Sequence, residues 1–409
     1  MTEPVSRRSA VASLAAGAAA LFAAPAAARA LGNVTRAPAV LRGRYRLSAQ
    51  SPTTYSARAL RIVEQTVAID LLNQFRFADY AEQPPKSDLW LHTPRSMTRA
   101  EYELYRTAGT RIFGLGHTPG NYEAGIRFFA DWNSFIAGYD DWFLRIDDAG
   151  DFARVKRSGK VGILFTLQNS DHFRTAADVT TFFALGQRVS QITYNATNRI
   201  GSGFLADTDS GLTPFGGEIV ARMNSVGMAV DLSHCADRTT LDALDAVKKP
   251  AIYSHAGCRA LMPGHMRSKT DEMIQKMAKT GGVMGIPMLR FMVHLDEPVT
   301  AEHVLDHFDH VAKLVGVEHV GVGSDMDLIG NPNPMHVPAG MSRPQDQPNF
   351  ERYHFHTDAE ERLTIRGLDH PRRMLDLTEG LIRRRYSDAN IALMIGGNWA
   401  RALSAIWSV

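Results

Sequence analysis

Eight short apolar runs alternate with longer segments of helical period along the chain, and this alternation constrains the fold more than any other feature. The runs are VAIDLLNQF (67–75), TRIFGLGH (110–117), KVGILFTLQN (160–169), RVSQITYN (188–195), GMAVDLSH (227–234), PAIYSHAG (250–257), GGVMGIPM (281–288) and HVGVGSDMD (319–327). Amphipathic patterns between them cover residues 213–227, 236–249, 270–282 and 300–316. Runs rich in Val, Ile and Gly that alternate with helices of about 10–15 residues indicate parallel βαβ units. The sequence therefore predicts an α/β fold, an eight-stranded parallel β/α barrel of the TIM type, with catalytic groups at the C-terminal ends of its strands.

The first 30 residues have the pattern of an export signal. Arg7 and Arg8 precede an uncharged stretch of mostly Ala and Leu, and Ala28-Arg29-Ala30 ends it with the small-x-small pattern of a cleavage site. This combination is typical of a twin-arginine signal peptide, so we expect residues 1–30 to direct export to the periplasm or the medium. A membrane anchor is the alternative, but Pro25 and the high Ala content make a weak spanning segment.

The rest of the chain predicts a single domain. We expect residues 31–58 to form an N-terminal lead and residues 59–409 to form one barrel with closing C-terminal helices. No other run reaches the ~20 apolar residues that a spanning helix needs, so we expect no transmembrane span in the mature chain. The 45 Lys and Arg residues nearly balance the 43 Asp and Glu residues, which argues against nucleic acid or an acidic membrane surface as a partner.

Several apolar runs end on polar residues, at the point where a barrel places its catalytic groups. These residues are Asn73, Gln74, Gln168, Asn169, Tyr194, Asn195, His234, His255, Asp325 and Asp327. Asn or Asp alone would be ordinary turn formers, but His, Tyr and Asp recur at this boundary. The long segments 76–105 and 328–358, which we expect to be irregular, follow the first and eighth runs and are candidate lids over the same face.

Two histidine motifs carry the most chemical information. His234 ends Asp231-Leu232-Ser233-His234 after the fifth run, and His255 lies in Ser254-His255-Ala256 after the sixth. A single histidine at a strand end is more often structural than functional. Two on neighbouring barrel strands would place their imidazoles side by side, as a tetrahedral zinc site requires.

At this point the sequence resembles the membrane (renal) dipeptidase family, amidohydrolase-like barrel enzymes that use metal ions to cleave dipeptides. The resemblance covers nearly all of the chain after the signal. Besides the two histidine motifs, it includes YNATNRIGSG (194–203), GLTPFGGEIVARMNSVGMAVDLSH (211–234), RSKTDEMI (267–274), GGVMGI (281–286), GVGSDMD (321–327) and GGNWAR (396–401).

The resemblance implies a two-zinc site with a bridging carboxylate, an Asp base and an Arg that binds the substrate carboxylate. By this resemblance, His234 and His255 match a pair of histidine ligands, Asp325 matches the catalytic Asp, and Arg267 matches the Arg. Family members are commonly dimers, so the resemblance also suggests a homodimer.

Other family positions are replaced. The family's Asp-Gly-His-x-Asp stretch at the end of strand 1 reads Asp-Leu-Leu-Asn-Gln here, so that Leu72 and Gln74 stand where two metal ligands are expected. Gln168 stands in place of the bridging Glu, and a neutral amide cannot supply the negative charge that holds two cations about 3.5–4 Å apart. Tyr194 replaces a substrate-contacting His and can still donate a hydrogen bond. These changes affect one metal position and the bridge, which favours a reorganised site over random decay.

The remaining histidines and the cysteines have simpler interpretations. His303, His307 and His310 lie at i, i+4 and i+7 of one helical segment, where packing is favoured over metal binding. His354 and His356 fall in the loop after the eighth run and are expected to be solvated. Cys235 and Cys258 adjoin the two histidine motifs; a thiolate ligand or a disulfide is conceivable, but buried thiols are favoured.

The favoured function is an exported dipeptidase-like hydrolase that acts on dipeptides or related small amide carboxylates with one zinc per chain. His234 and His255 would bind the zinc, with Gln168 as a weak ligand. Asp325 would move protons, Arg267 would bind the substrate carboxylate, and Tyr194 would stabilise the oxyanion. Two alternatives remain open: a metal-free acid–base enzyme acting on a small carboxylate, and a non-catalytic periplasmic binding protein on the same barrel.

Overall fold

The computed structural model describes residues 54–76, 86–294, 298–328, 365 and 367–408. The export signal therefore lies outside the described residues, as do most of the N-terminal lead, nearly all of the segment 328–358, and His354 and His356. Strands are found at Ile69–Asn73 (β1), Ile112–His117 (β2), Phe143–Arg145 (β3), Val161–Leu167 (β4), Gln187–Gln191 (β5), Ala229–Asp231 (β6), Met284–Ile286 (β7) and Val320–Val322 (β8). They form one parallel sheet in the order β6-β5-β4-β2-β1-β8-β7, with β3 pairing β4 beside this path.

The helices lie between and after these strands. They are Ala57–Gln65 (α1), Lys86–His92 (α2), Arg99–Arg106 (α3), Tyr122–Gly138 (α4), Ala149–Ser158 (α5), Ala176–Ala184 (α6), Pro214–Val226 (α7), Asp237–Ala246 (α8), Asp271–Lys279 (α9), Ala301–Val315 (α10), Arg373–Arg383 (α11), Asp388–Ala392 (α12) and Asn398–Trp407 (α13). The four amphipathic patterns correspond to α7 to α10, so those predictions are confirmed. At α7, for example, the Thr213 side chain caps the first turn and Gly227 ends the helix in the left-handed conformation, as helix termini favour.

The prediction of an α/β fold built on a parallel sheet is confirmed, with two corrections to its strands. The run at 250–257 forms only isolated parallel bridges, from Ile252 to Asp231 and from Tyr253 to Met284. The strand β3 was not predicted, because its three residues lie between two pairs of Asp residues and belong to no long apolar run. The bridges nevertheless place Ile252 and Tyr253 between β6 and β7, which is where the expected sixth strand belongs.

Close backbone approach brings the ends of the strands together. A Cβ built on Gly323, just after β8, would lie 1.7 Å from the carbonyl oxygen of Ser254, so only glycine fits there. On the other side of β8, Asn73 bridges Met326 in parallel register. The residues that follow β1, β8 and Tyr253 therefore meet at one edge of the sheet.

The segment 76–105, expected to be irregular, contains α2 and most of α3. A capping box between Thr98 and Glu101 begins α3, and this Thr-x-x-Glu pattern is a recognised sequence signal for a helix start. Tyr102 and Tyr105 then turn buried faces towards the core, which anchors the helix. This part of the candidate lid is thus ordered structure.

The C-terminal tail packs under the sheet. Trp399 of α13 is fully buried, and its Nε1 donates a hydrogen bond to the carbonyl oxygen of Val322 in β8. A Cβ on Gly396 would lie 2.0 Å from the carbonyl oxygen of Val67, so the motif GGNWAR is needed for packing. Among the described residues, no helix is long and apolar enough to cross a membrane.

His307 is a packed core histidine, as its position in the helical triplet suggested. Its Nε2 lies 2.9 Å from the carbonyl oxygen of Val293, and its Nδ1 accepts a hydrogen bond of 2.9 Å from the backbone N–H of Cys258. Burial lowers the pKa of His307 from 6.5 to about 4. Between pH 6.5 and about pH 4, His307 therefore binds fewer protons in the folded state than in the unfolded state.

We expect His307 to make the fold less stable as the pH falls from 6.5 towards 4. Between pH 7 and pH 5 its contribution to the free energy of unfolding should fall by about 2 kcal/mol. Urea unfolding at both pH values measures this change, and His307→Gln should reduce the difference between them. His92→Gln, at an exposed position, is the matched control. An unchanged pH difference in His307→Gln would contradict the prediction.

Candidate active site

The structure brings the two predicted histidines together. His234 follows β6, and His255 follows the bridging residues Ile252 and Tyr253. Their Nε2 atoms are 3.0 Å apart, and both side chains are buried. Burial and the nearby charge of Arg267 hold the pKa of each imidazole well below its usual value. Both imidazoles are therefore neutral near pH 7, which is the form that binds metal ions.

Asp325 lies beside this pair. Its Oδ2 is 3.9 Å from Nε2 of His255, and its Oδ1 accepts a hydrogen bond of 2.8 Å from Nε2 of Gln74. Burial raises the pKa of Asp325 to about 6, although the hydrogen bond from Gln74 and the charge of Arg267 both act in the opposite direction. A carboxyl group with a pKa near neutrality suits proton transfer.

The backbone at Asp325 is strained. Its φ of 57° lies in the left-handed region, which non-glycine residues adopt rarely and which often marks functional sites. Neighbouring hydrogen bonds hold it there. The N–H of Asp325 donates to the carbonyl oxygen of Leu72 at 2.9 Å, and the N–H and hydroxyl of Ser324 both donate to the buried carboxylate of Asp70.

The three positions where the resemblance leads us to expect other residues share one space beside β2. A Cβ built on Gly116 would lie 2.7 Å from Nε2 of Gln168, 3.3 Å from Nε2 of Gln74 and 3.4 Å from Cδ1 of Leu72. Gln168 and Leu72 are buried, and none of the three side chains carries a charge. This group, Leu72, Gln74 and Gln168, is called the neutral cluster below.

Three side chains of the site are of types that bind metal ions, and the three of the neutral cluster are uncharged. His234 and His255 offer two neutral imidazole nitrogens and Asp325 offers a carboxylate nearby, which is a ligand set that zinc accepts. The neutral cluster has no carboxylate to bridge two cations and no imidazole. Among the residues that the structure describes, no group of three or more His, Cys, Asp or Glu side chains is arranged to hold a metal ion. The donor types of His234, His255 and Asp325 therefore suit zinc, while their spacing in this structure does not form a complete metal site.

Arg267 lies behind the histidine pair. Its Nη1 donates to the carbonyl oxygen of Ser233 at 2.5 Å, and its Nη2 donates to the carbonyl oxygen of His255 at 2.8 Å. Burial lowers its pKa to about 10, so the guanidinium still carries its charge at pH 7. These contacts tie together the backbone of the two histidine motifs. The role of Arg267 in binding a substrate carboxylate stays a prediction.

Tyr194 stacks on His234, with ring centroids 4.3 Å apart and an interplanar angle of 21°. Phe204 meets the same imidazole edge to face at 5.7 Å. The tyrosine thus lies within the site, next to one of the predicted ligands, and its position is compatible with a contact to substrate.

Cys235 and Cys258 are buried free thiols and form no disulfide. Burial raises the pKa of Cys235 to about 11 and raises that of Cys258 further. Neither is therefore a thiolate near neutral pH, and a thiolate needs a lower pKa to act as ligand or nucleophile.

The sequence analysis missed several residues of the site. His117 ends β2 with an exposed ring stacked on Phe128 at 4.4 Å, and its position at the end of an apolar run was an available signal. Asp70 and Asp231 were not recognised as hydrogen-bond acceptors. Each bonds to a serine that directly precedes a predicted functional residue, Ser324 before Asp325 and Ser254 before His255.

Comparison with protein families gives one match that covers much of the site. The family described as membrane dipeptidase (peptidase family M19) matches residues 121–350, which is more than half of the 409 residues. This range contains His234, His255, Arg267 and Asp325. It is narrower than the motif resemblance, since it leaves out the neutral-cluster residues Leu72 and Gln74 and the motif GGNWAR.

Curated relatives and solved structures agree with that family. The chain is 32% identical to dipeptidase tcpJ of Claviceps purpurea over 215 residues, 52% of this chain and 49% of the relative. It is 32% identical to the uncharacterized dipeptidase C965.12 of Schizosaccharomyces pombe over 202 residues, 47% of this chain and 48% of the relative. The chain thus spans about half the length of these curated relatives.

Among solved structures, an amidohydrolase from Pseudomonas aeruginosa is similar with a TM-score of 0.69 and 25% identity, over 86% of this chain and 99% of that one. A metallo peptidase from Rhodobacter sphaeroides, solved with a phosphinate mimic of the dipeptide L-Ala-D-Ala, is similar with a TM-score of 0.65 and 16% identity. The match covers 84% of this chain and 100% of that structure. At this identity, the second likeness concerns the fold alone.

Proposed function

Because the chain belongs to the membrane dipeptidase family, peptidase family M19, we propose that it is an exported hydrolase that cleaves dipeptides or related small amides bearing a carboxylate. The observation that carries the proposal is the grouping of His234, His255 and Asp325. Two neutral imidazoles have their Nε2 atoms 3.0 Å apart, and a carboxylate oxygen lies 3.9 Å from one of them. This grouping combines a metal-type ligand pair with an acid–base group, as metal-assisted hydrolysis requires.

In this proposal His234 and His255 would hold a single zinc ion, with Gln168 as at most a weak ligand. Bound there, zinc would supply a Lewis acid that makes a water molecule acidic enough to react near neutral pH. The neutral cluster supports one metal over two, because Leu72, Gln74 and Gln168 bring no negative charge to balance a second cation.

Asp325 is the proposed proton-transfer group. Its Oδ2 faces the histidine pair and would take the proton of the attacking water, then return it to the nitrogen of the leaving amine. Gln74 holds the other carboxylate oxygen at 2.8 Å, which fixes the carboxylate plane. The left-handed backbone of Asp325, held by Ser324 and Leu72, keeps this side chain at the site.

Arg267 and Tyr194 are the proposed substrate-binding residues. The buried charge of Arg267, next to the histidine motifs, favours a substrate that brings a carboxylate. The phenol of Tyr194, stacked on His234 at 4.3 Å, would donate a hydrogen bond to the oxygen that becomes negative when the amide is attacked.

Three further features belong to the proposal. We propose that the sheet closes into an eight-stranded barrel through residues 250–254, which is supported by the parallel bridges of Ile252 to β6 and of Tyr253 to β7. The twin-arginine pattern of residues 6–30 supports export to the periplasm or the medium. A homodimer is proposed from the resemblance to the family alone.

Elemental analysis of the purified protein, followed by a panel of dipeptides with and without added zinc, tests this function. We expect about one zinc per chain and dipeptide cleavage that a chelator abolishes. About two zinc ions per chain would overturn the one-metal site. Cleavage that resists chelators would instead indicate metal-free acid–base chemistry by Asp325 and a histidine. A tightly held small molecule without turnover would indicate a binding protein.

A further inference from the structure

Asp231, the last residue of β6, is buried and accepts four hydrogen bonds. The backbone N–H groups of Ser233 and Ser254 each donate to its Oδ1 at 3.0 Å. The hydroxyl of Ser233 donates to Oδ1 at 2.5 Å, and the hydroxyl of Ser254 donates to Oδ2. A carboxylate is an acceptor only, so the hydroxyls of Ser233 and Ser254 both donate their hydrogens to Asp231.

The hydrogen bond from Ser254 to Asp231 determines the tautomer of His255. The Oγ of Ser254 is 2.8 Å from Nδ1 of His255. Since the hydrogen of that hydroxyl points at Asp231, Oγ can only accept from the imidazole, and Nδ1 must carry the hydrogen. The lone pair of His255 is then on Nε2, the atom that faces His234. The backbone N–H of His255 also donates to Oγ of Ser233 at 3.1 Å, which fixes the orientation of the residue.

His234 is held in the same tautomer from the opposite side. Its Nδ1 lies 2.8 Å from Oδ1 of Asn195, an amide oxygen that accepts hydrogen bonds. The two imidazoles therefore present Nε2 lone pairs to each other across 3.0 Å with no hydrogen between them. Two facing acceptors repel, unless a positive ion lies between or beside them, as at a metal site whose ligands are held by outer hydrogen bonds.

We propose that Asp231 is a positioning residue that, acting through Ser254, fixes His255 in the Nδ1–H tautomer so that its Nε2 lone pair faces a cation. Asp231 touches neither imidazole nitrogen, so its effect passes through the serine hydroxyl. The purpose of this arrangement rests on the proposed function, but the tautomer can be measured without turnover.

Asp231→Asn tests the proposal in the metal-free full-length protein. The amide oxygen should remain at the Oδ1 position, where it accepts the backbone N–H groups of Ser233 and Ser254. The amide NH₂ then replaces Oδ2 and donates to Oγ of Ser254, whose own hydrogen turns to Nδ1 of His255. We expect long-range ¹H–¹⁵N spectra of labelled histidine, assigned with His255→Gln, to show the hydrogen moved to Nε2. We also expect the affinity for zinc alone to fall about 10–100-fold.

Asp70→Asn is the matched control. Asp70 is also buried in a strand, β1, and also accepts the N–H and hydroxyl of a serine, Ser324, but that serine precedes Asp325. This variant should leave the His255 tautomer unchanged. Ser254→Ala, which removes the hydroxyl and keeps Asp231, should let the two tautomers of His255 mix, and it serves where Asp231→Asn does not fold.

An unchanged Nδ1–H signal of His255 in both Asp231→Asn and Ser254→Ala would overturn the role of Asp231. This result is separate from the fate of the proposed function. A tautomer that shifts as expected in a protein that cleaves no dipeptide supports the positioning role and removes the dipeptidase function. Dipeptide cleavage together with an unchanged His255 tautomer in both variants supports the dipeptidase function and removes the positioning role.

Discussion

Replacing Asp325 by Asn should lower kcat/KM for the best dipeptide by about 10²–10⁴-fold, the usual contribution of a positioned general acid or base. The fold should survive, because the new amide oxygen can still accept the 2.8 Å hydrogen bond from Gln74. Asn also tolerates the left-handed backbone at this position as well as Asp does. The loss should therefore appear in turnover and not in thermal stability. Steady-state kinetics and a melting curve for the same preparation measure both.

Asp171→Asn is the matched control for the loss of a carboxylate near the strand ends. Asp171 is exposed in the loop after β4 and accepts a hydrogen bond of 2.6 Å from Asn169, and the proposed function gives it no role. The kcat/KM of the Asp171→Asn variant should remain close to that of the unmodified protein. A loss smaller than about tenfold in Asp325→Asn would contradict the proton-transfer role of Asp325.

The features that could be predicted from the sequence are those that follow from hydrophobic periodicity and from the polar residues at the ends of strands. Amphipathic spacing placed α7 to α10, and the positions of His234 and His255 after neighbouring runs predicted that their imidazoles meet. The short run at 250–257 was harder to assign, because Ile252 and Tyr253 form bridges in place of a regular strand. Closure of the barrel stays a prediction for the same reason.

The sequence could not predict contacts that depend on side-chain direction across the fold. Asp70 and Ser324 are 254 positions apart, and no local pattern shows that one holds the backbone next to Asp325. The resemblance to the dipeptidase family led to the expectation that Arg267 binds the substrate carboxylate. Its hydrogen bonds to the carbonyl oxygens of Ser233 and His255 became visible only when both motifs were folded around it.

The neutral cluster is another group that only the fold brings together. Leu72 and Gln168 are 96 positions apart in the sequence and still share the space beside Gly116. Their replacement is coherent. Leu72 fills volume, Gln74 donates a hydrogen bond to Asp325, and Gln168 is an uncharged isostere of the Glu that the resemblance implies at its position. A neutral group in this buried space avoids the cost of desolvating carboxylates that have no cation to balance them.

Restoring the family ligands should therefore add a second metal ion. In the variant Leu72→His, Gln74→Asp, Gln168→Glu, the new carboxylates supply the negative charge that two cations need about 3.5–4 Å apart. We expect zinc content to rise from about one to about two per chain, measured by elemental analysis. Without zinc, two uncompensated buried carboxylates should lower the melting temperature, and added zinc should raise it by linkage.

The control is Leu72→Ile, which keeps the space beside Gly116 filled and leaves Gln74 and Gln168 in place but adds no ligand and no charge. It should bind no second zinc, and its melting temperature should respond to zinc as the unmodified protein does. If the restored variant instead keeps about one zinc and is destabilised whether or not zinc is present, the neutral cluster cannot be converted by charge alone. The one-metal site would then be set by the geometry of β1, β2 and β4 as well as by the three replaced side chains.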